Sequence, residues 1–343
     1  MIFRRRRRGA AGTVAPEFEG TTEELAAEIK RVTAANREQR DRDAEYRLLR
    51  LRHLLGVRLL DEAAGAPSFP EPDFDSLPEA DGLPDIDPAQ LTPELLRAGI
   101  LRDGSVLVRG MMPRDDALRL AEEIDRAFDE RERHDAGGTP AAGYYREFEP
   151  GPRFDAIDAR PWVKEGGGVL AADSPMLAFD MFELFEAAGL PDLAAGYLGE
   201  ATAISAQKTT LRKAAPEVGG AWHQDGKFMG PVRALNAWVS LSRCGDESPG
   251  LDIVPRRLND YVAAQTEEAV LSYQVSDAKA AEAAGPDHPI IRPIFEPGDV
   301  LLFDELCLHQ TGSDPSMPKP RYAIESWFFG PSGFPGEYAP IAA

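Results

Sequence analysis

The feature that most restricts this chain lies between Pro67 and Pro93, where seven prolines and seven acids occur with no basic residue. Proline fixes φ and withholds a backbone donor, and like charges at this density repel one another. Such a stretch runs extended and builds no core of its own, so it marks a boundary within the 343 residues. We therefore expect a helical N-terminal arm over 21–64, a linker over 65–93, a main domain over 94–335 and a C-terminal tail over 336–343.

The arm has the signals of a helix start. Thr21 and Glu24 stand at capping-box spacing, followed by an apolar stripe of Leu25, Ile29 and Val32. A denser stripe follows at Leu48, Leu49, Leu51, Leu54, Leu55 and Leu59, with His53 as a packing or surface histidine. Between the stripes, Arg37 to Glu45 is nearly all charge, so the helix there is solvated or broken. A hairpin, a lid, or an arm serving a homo-oligomer or a partner protein all fit this pattern. Ahead of it, Arg4 to Arg8 precede Gly9-Ala10-Ala11-Gly12-Thr13, not the apolar run of a secretory signal. Residues 1–20 are expected to form a disordered basic tail, on a cytoplasmic protein.

Composition removes several functions. The net charge of −20 opposes nucleic acid as the main partner, because a phosphate backbone calls for clustered Lys and Arg. No run of eighteen apolar residues offers a membrane span. Cys244 and Cys307 are too few for a disulfide framework, and both are expected to be thiols.

Beyond the linker the chain reads as mixed α and β, with short strands dominating from Ala201 onward. Ser105 to Arg109 is strand-like, and Pro113 opens a helix whose face carries Leu118, Ala121, Ile124 and Phe128. Residues 133–168 predict long loops, and Ser174-Pro175 caps a helix bearing Phe179, Phe182 and Phe185. Short strands are expected around 201–212, 234–242, 251–254, 289–294, 299–304 and 321–329, separated by Gly/Pro turns. This is an α+β chain with a mainly β core, as in a sandwich or barrel.

Only five histidines exist. His223 and Asp225, two apart in Trp222-His223-Gln224-Asp225-Gly226, would share a face if the segment is extended. An imidazole and a carboxylate make two-thirds of a facial triad for non-haem Fe(II). His309 ends the apolar run from Gly298, before a polar break at Gln310-Thr311-Gly312, where it can face a cavity. Arg321 opens another hydrophobic strand, and a lone guanidinium there suits bidentate capture of a carboxylate. His134 and His288 sit in loops and are assigned no role.

This order of His-x-Asp, distal His and Arg resembles the Fe(II)/2-oxoglutarate dioxygenases, and within them the phytanoyl-CoA dioxygenase-like family. Asn236-Ala237-Trp238-Val239-Ser240-Leu241, Pro249-Gly250-Leu251-Asp252-Ile253-Val254-Pro255 and Gly298-Asp299-Val300-Leu301-Leu302-Phe303 resemble further elements of that family. Arg256-Arg257-Leu258 stands where the family usually has Gly-Ser-His, and Ser326 falls on the strand face opposite Arg321. The resemblance implies a double-stranded β-helix (jelly-roll, cupin-like) with flanking helices. It implies Fe(II) held by His223, Asp225 and His309, 2-oxoglutarate anchored by Arg321, and O2 as the oxidant. The activity implied is hydroxylation of a small organic substrate, an acyl-CoA or lipid or a secondary metabolite, with release of succinate and CO2. A carboxylate at Asp225 separates the chain from halogenases with Ala or Gly there. Gln207, Lys213 and Asn236 are further candidates for co-substrate or substrate contacts; Arg146, Lys227 and Arg233 could meet an anionic substrate. The alternatives are a catalytically silent metal or 2-oxoglutarate sensor, or an interaction protein recruiting partners through the N-terminal arm.

Overall fold

The computed structural model describes residues 18–343 apart from 66, 81, 218 and 264–272, so the Arg4–Arg8 run lies outside the described residues. The helices are α1 (Thr22–Glu38), α2 (Arg42–Glu62), α3 (Pro93–Asp103), α4 (Arg114–Asp135), α5 (Arg160–Glu165), α6 (Pro175–Ala187), α7 (Leu190–Leu198), α8 (Gly226–Met229) and α9 (Asp277–Ala284). The strands are β1 (Asp85–Ile86), β2 (Ser105–Val108), β3 (Gly168–Leu170), β4 (Ala203–Ala214), β5 (Ala234–Ser240), β6 (Gly250–Ile253), β7 (Val300–Phe303), β8 (His309–Gly312), β9 (Arg321–Phe329) and β10 (Pro340–Ala342).

An eight-stranded sheet runs β1-β2-β7-β5-β9-β4-β10, with β3 added beside β4, and β6 and β8 form a separate pair. The two faces of the large sheet have different work. In the β9 register, Arg321, Ala323 and Glu325 stand opposite Ala214, Arg212 and Thr210 of β4, and Ala323, Glu325 and Trp327 opposite Ser240, Trp238 and Asn236 of β5. Side chains alternate along a strand, so these residues share one face. With Ala234, Leu251, Ile253, Leu301, Phe303 and Phe329 they border a core between the large sheet and the small one. The opposite face, bearing Leu211, Leu235, Val239, Ile324 and Phe328, packs against the helices.

The N-terminal helices belong to that helical layer. The Thr21–Glu24 capping box forms as its spacing requires, with both reciprocal hydrogen bonds present. The chain breaks at Gln39, and α1 and α2 fold back as a hairpin. Leu25, Ile29, Val32, Leu48 and Leu51 are buried with Phe179 of α6, each contributing about 1.5–3 kcal/mol of apolar burial. Arg37 pairs with Glu183 at 2.5 Å and Arg40 with Asp180 at 2.6 Å, locking the hairpin to α6. His53 is buried: Nδ1 lies 2.7 Å from the Pro340 carbonyl, and Nε2 accepts from the Gly151 amide at 2.9 Å. The acidic, proline-rich segment is tied down where its apolar residues allow, through buried Leu77, Leu83 and Ile86 and the pairing of β1 with β2.

Three local expectations change. Residues 289–294 form only a bridge, Ile253 with Ile291, because Pro289 and Pro293 interrupt donors there. The polar stretch after His309 is a strand, β8, paired along its length with β6. Ser174 precedes α6 but makes no side-chain cap, and its hydroxyl is buried without a partner among the described residues.

Gly298 enters β7 with φ at +97°, and a Cβ there would stand 2.3 Å from the Met112 carbonyl oxygen. Gly298→Ala therefore combines a positive-φ penalty with a backbone clash and should lower unfolding free energy by about 2–3 kcal/mol. Urea unfolding measures this directly; a midpoint equal to wild type would contradict the constraint.

Candidate metal centre

Two histidines far apart in sequence are set face to face by backbone hydrogen bonding. The His223 amide donates to the His309 carbonyl at 3.0 Å and the His309 amide returns the bond to His223 at 3.1 Å. This antiparallel bridge extends the β6–β8 pair by one more segment and brings the imidazole centroids within 4.5 Å. The His223 Nδ1 lies 2.7 Å from the Ala221 carbonyl, and the His309 Nδ1 lies 3.2 Å from the Cys307 carbonyl. A ring nitrogen facing a carbonyl is the one that carries hydrogen, so in each ring Nε2 presents the lone pair.

Asp225 arrives by a different route from the one its spacing predicts. Its backbone is αR (φ −60°, ψ −31°), the start of the short helix α8, so strand alternation is not what joins it to His223. The turn is held by the Gly226 amide on the Glu305 carbonyl at 3.1 Å. Asp225 Oδ2 ends 3.7 Å from His309 Nε2, and one ligand atom from each of His223, Asp225 and His309 lies within 4.8 Å of the others. Bonds of about 2.0–2.2 Å from nitrogen and oxygen to a first-row divalent ion can span such a gap.

The donor set also fits an ion by its unmet needs. Asp225 is buried, and its Oδ2 has no hydrogen-bond partner among the described residues. An uncompensated carboxylate oxygen in a dry site is costly, and a cation removes that cost. Burial, reinforced by the neighbouring His223, holds the His309 pKa below its ordinary value of 6.5. A depressed imidazole pKa keeps the ligand neutral, as metal binding requires. It also fixes a sign: the unfolded chain takes up this proton at higher pH than the folded one. The metal-free protein should lose stability as pH falls below about 6.5 and hold that contribution in full above it. Urea unfolding across this range should show a flatter profile for His309→Gln; parallel profiles would refute the assignment.

Arg321 is the second unusual group. It is 2% exposed, and Nη1 donates to the Gly250 carbonyl at 2.7 Å while Nε has no partner among the described residues. The guanidinium lies 5.3 Å from the Trp238 ring centroid and is within hydrogen-bond or ion-pair reach of no carboxylate among the described residues. Burial lowers its pKa to about 10, so it remains a cation near neutrality. A buried cation with no anion beside it carries a desolvation cost that a bound anion would offset.

The remaining candidates divide. Asn236 is fully buried on the inner sheet face, and both amide atoms lack partners among the described residues. Lys213 does not face the centre: it lies on the outer side of β4, and Nζ pairs with Asp125 of α4 at 2.7 Å. Gln207 is also engaged elsewhere, its Oε1 accepting from the Ala339 amide at 2.9 Å. Both were candidates through the family resemblance alone, and a register shift in β4 between Ile204 and Thr209 changes which side chains of this strand face the centre. Arg146 stacks on Tyr46 and Arg233 bonds the Leu198 carbonyl, whereas Lys227 sits over Tyr261 beside α8. Lys208, which the sequence did not single out, comes close enough to Asp225 and Glu325 to feel both charges.

No protein family model matches the chain, and no curated protein matches it. Solved structures resemble it at low identity. EctD from S. alaskensis, with 2-oxoglutarate and 5-hydroxyectoine, is 20% identical at a TM-score of 0.48, over 78% of this chain and 88% of that one. AviO1 from Streptomyces viridochromogenes Tue57 is 18% identical at a TM-score of 0.44, over 69% of this chain and 94% of that one. The epimerase SnoN, in complex with Fe3+, alpha ketoglutarate and nogalamycin RO, is 18% identical at a TM-score of 0.42, over 69% of this chain and 83% of that one. Among the described residues, no helix is long and apolar enough to cross a membrane.

Proposed function

We propose that the chain is an Fe(II)- and 2-oxoglutarate-dependent oxygenase that oxidises a small organic molecule, by hydroxylation in the simplest case, and releases succinate and CO2. The observation that carries this reading is the pairing, on one side of the large sheet, of a three-donor cluster with a buried, uncompensated guanidinium. A metal alone would explain the first; a metal with an anionic, chelating co-substrate explains both. We read the large sheet facing the β6–β8 pair as a double-stranded β-helix, whose interior holds the site.

His223, Asp225 and His309 would hold the ion through two imidazole nitrogens and one carboxylate, a facial set that leaves coordination positions open. Bound there, ferrous ion supplies O2 activation coupled to oxidative decarboxylation of the keto acid. The chain's own part is positioning. Arg321 would take the distal carboxylate, with Trp238 packing its guanidinium in place. Asn236, with no internal partner among the described residues, can hydrogen-bond a bound acid or substrate. Phe303, Trp327 and Phe329 keep that interior apolar and exclude water. A carboxylate at Asp225 would take the coordination position that a halide needs, which favours oxidation without chlorination.

The test is anaerobic titration of the purified protein with Fe(II) and then 2-oxoglutarate, followed by admission of air. Stepwise saturable binding, with visible charge-transfer absorption on adding the keto acid and succinate on adding air, supports the reading. Binding of metal without any effect of 2-oxoglutarate refutes it.

A further inference from the structure

Among the basic side chains on the sheet and the loops around it, most are occupied. Arg212 is 3.6 Å from Glu325, Lys213 is on Asp125, and Arg257 is on Asp304. Besides Arg321, Lys208 stands apart. Its ammonium makes no hydrogen bond or ion pair with the described residues and lies 4.0 Å over the ring of Phe228, with Tyr338 at 6.0 Å. The register shift in β4 places it there, next to α8, which carries Phe228 directly after the Asp225 turn. Phe228 in turn stacks toward His223 at 6.2 Å, and Tyr273 closes edge-on at 5.3 Å from Phe228 and 6.4 Å from His223. An ammonium with aromatic neighbours therefore borders the metal ligands on the His223 side.

Charge accounting gives that ammonium a partner. Lys208 feels Asp225, Glu325 and Arg212, and Arg321 feels Arg212 and Glu325, so a chain of neighbours linked through Glu325 holds three basic side chains and two carboxylates. A divalent ion and a doubly ionised diacid cancel, so the loaded site would still carry one positive charge. Leaving it uncompensated in a largely dry interior is expensive. Burial works in the same direction, lowering the Lys208 pKa, and the pull of Asp225 and Glu325 opposes it.

We propose that Lys208 is the specificity determinant for the primary substrate, which is a singly charged organic anion, a carboxylate in the simplest case, whose apolar body lies along Phe228 and Tyr273. This rests on the oxygenase reading and adds the class of molecule it oxidises. The ammonium takes the substrate's carboxylate, and the aromatic wall holds the adjoining carbon skeleton against the His223 side of the ion. Lys208 is thereby distinct in task from Arg321, which serves the co-substrate.

The experiment is calorimetry on the anaerobic Fe(II)- and 2-oxoglutarate-loaded protein, with benzoate, phenylacetate and hexanoate as probes against their neutral amides. At least one acid should bind, and its amide should bind about tenfold more weakly or worse. Lys208→Met should weaken the acid about 10–100-fold while Lys208→Arg keeps it within about threefold, since a charge-assisted hydrogen bond is removed in one and retained in the other. The 2-oxoglutarate affinity of Lys208→Met should stay at the wild-type value. Acids and amides that bind wild type alike, or no acid binding at all, overturn the proposal without needing a variant. Loss of 2-oxoglutarate affinity in Lys208→Met overturns it too, by moving Lys208 into the co-substrate subsite. The loading step separates the levels: wild type that takes up neither Fe(II) nor 2-oxoglutarate refutes the oxygenase reading and this assignment together. Failure at the acid step alone refutes only the assignment.

Discussion

A His223→Ala variant is expected to lose at least about 100-fold in Fe(II) affinity, and turnover with it, while the metal-free protein melts within a few degrees of wild type. The two halves of this result have one origin. His223 is only half-buried, and its backbone, not its ring, makes the bridge to His309, so the fold does not depend on the imidazole. Its ring would serve the ion and also depresses the pKa of His309, so removing it relieves a repulsion in the metal-free protein. Anaerobic calorimetry with Fe(II), beside thermal unfolding of the metal-free protein, checks both. Affinity within about threefold of wild type would remove His223 from the ligand set.

Arg321→Met should weaken 2-oxoglutarate about 100-fold or more, seen as a raised KM for the co-substrate with Fe(II) affinity intact. Replacing the guanidinium with a thioether of similar reach would remove the proposed anion partner and leave His223, Asp225 and His309 untouched. Stability should move the opposite way. Arg321 lies 2% exposed and, among the described residues, has one hydrogen bond, to Gly250, and no carboxylate partner, so its burial is a cost the folded chain carries. An apolar replacement of similar volume should make the metal-free protein as stable as wild type or more so, by about 1 kcal/mol. Such a gain, together with the loss of co-substrate affinity, is the signature of a group kept for binding. Loss of stability with unchanged KM would instead make Arg321 a structural residue.

What the sequence conveys about this centre depends on which physical rule each residue obeys. His223, Asp225, His309 and Arg321 stand out because of their types and order, and the structure brings the first three together. The reason given by strand alternation is nevertheless wrong for Asp225, since the chain leaves the bridge at His223 and turns helical. Lys208, Gln207 and Lys213 show the limit of periodicity more sharply. One irregularity between Ile204 and Thr209 sends Lys213 to the outer face and leaves Gln207 holding the C-terminal strand, while Lys208 is carried toward Asp225. A bulge has no hydrophobic signature, so nothing in the local pattern announces it. The β8 strand is hidden for another reason: Gln310 and Thr311 are polar because their side chains lie on a small, half-exposed sheet. By contrast α1, with its capping box and apolar stripe, is legible almost residue by residue, because its signals are local.

The most direct measurement is a crystal structure of the protein grown anaerobically with Mn(II), standing in for Fe(II), and 2-oxoglutarate, with anomalous scattering used to place the metal. The account predicts one strong peak bonded to His223 Nε2, His309 Nε2 and an Asp225 oxygen, with the diacid chelating it and its far carboxylate on Arg321. A peak that omits any of the three ligands, or a diacid bound away from Arg321, would contradict it.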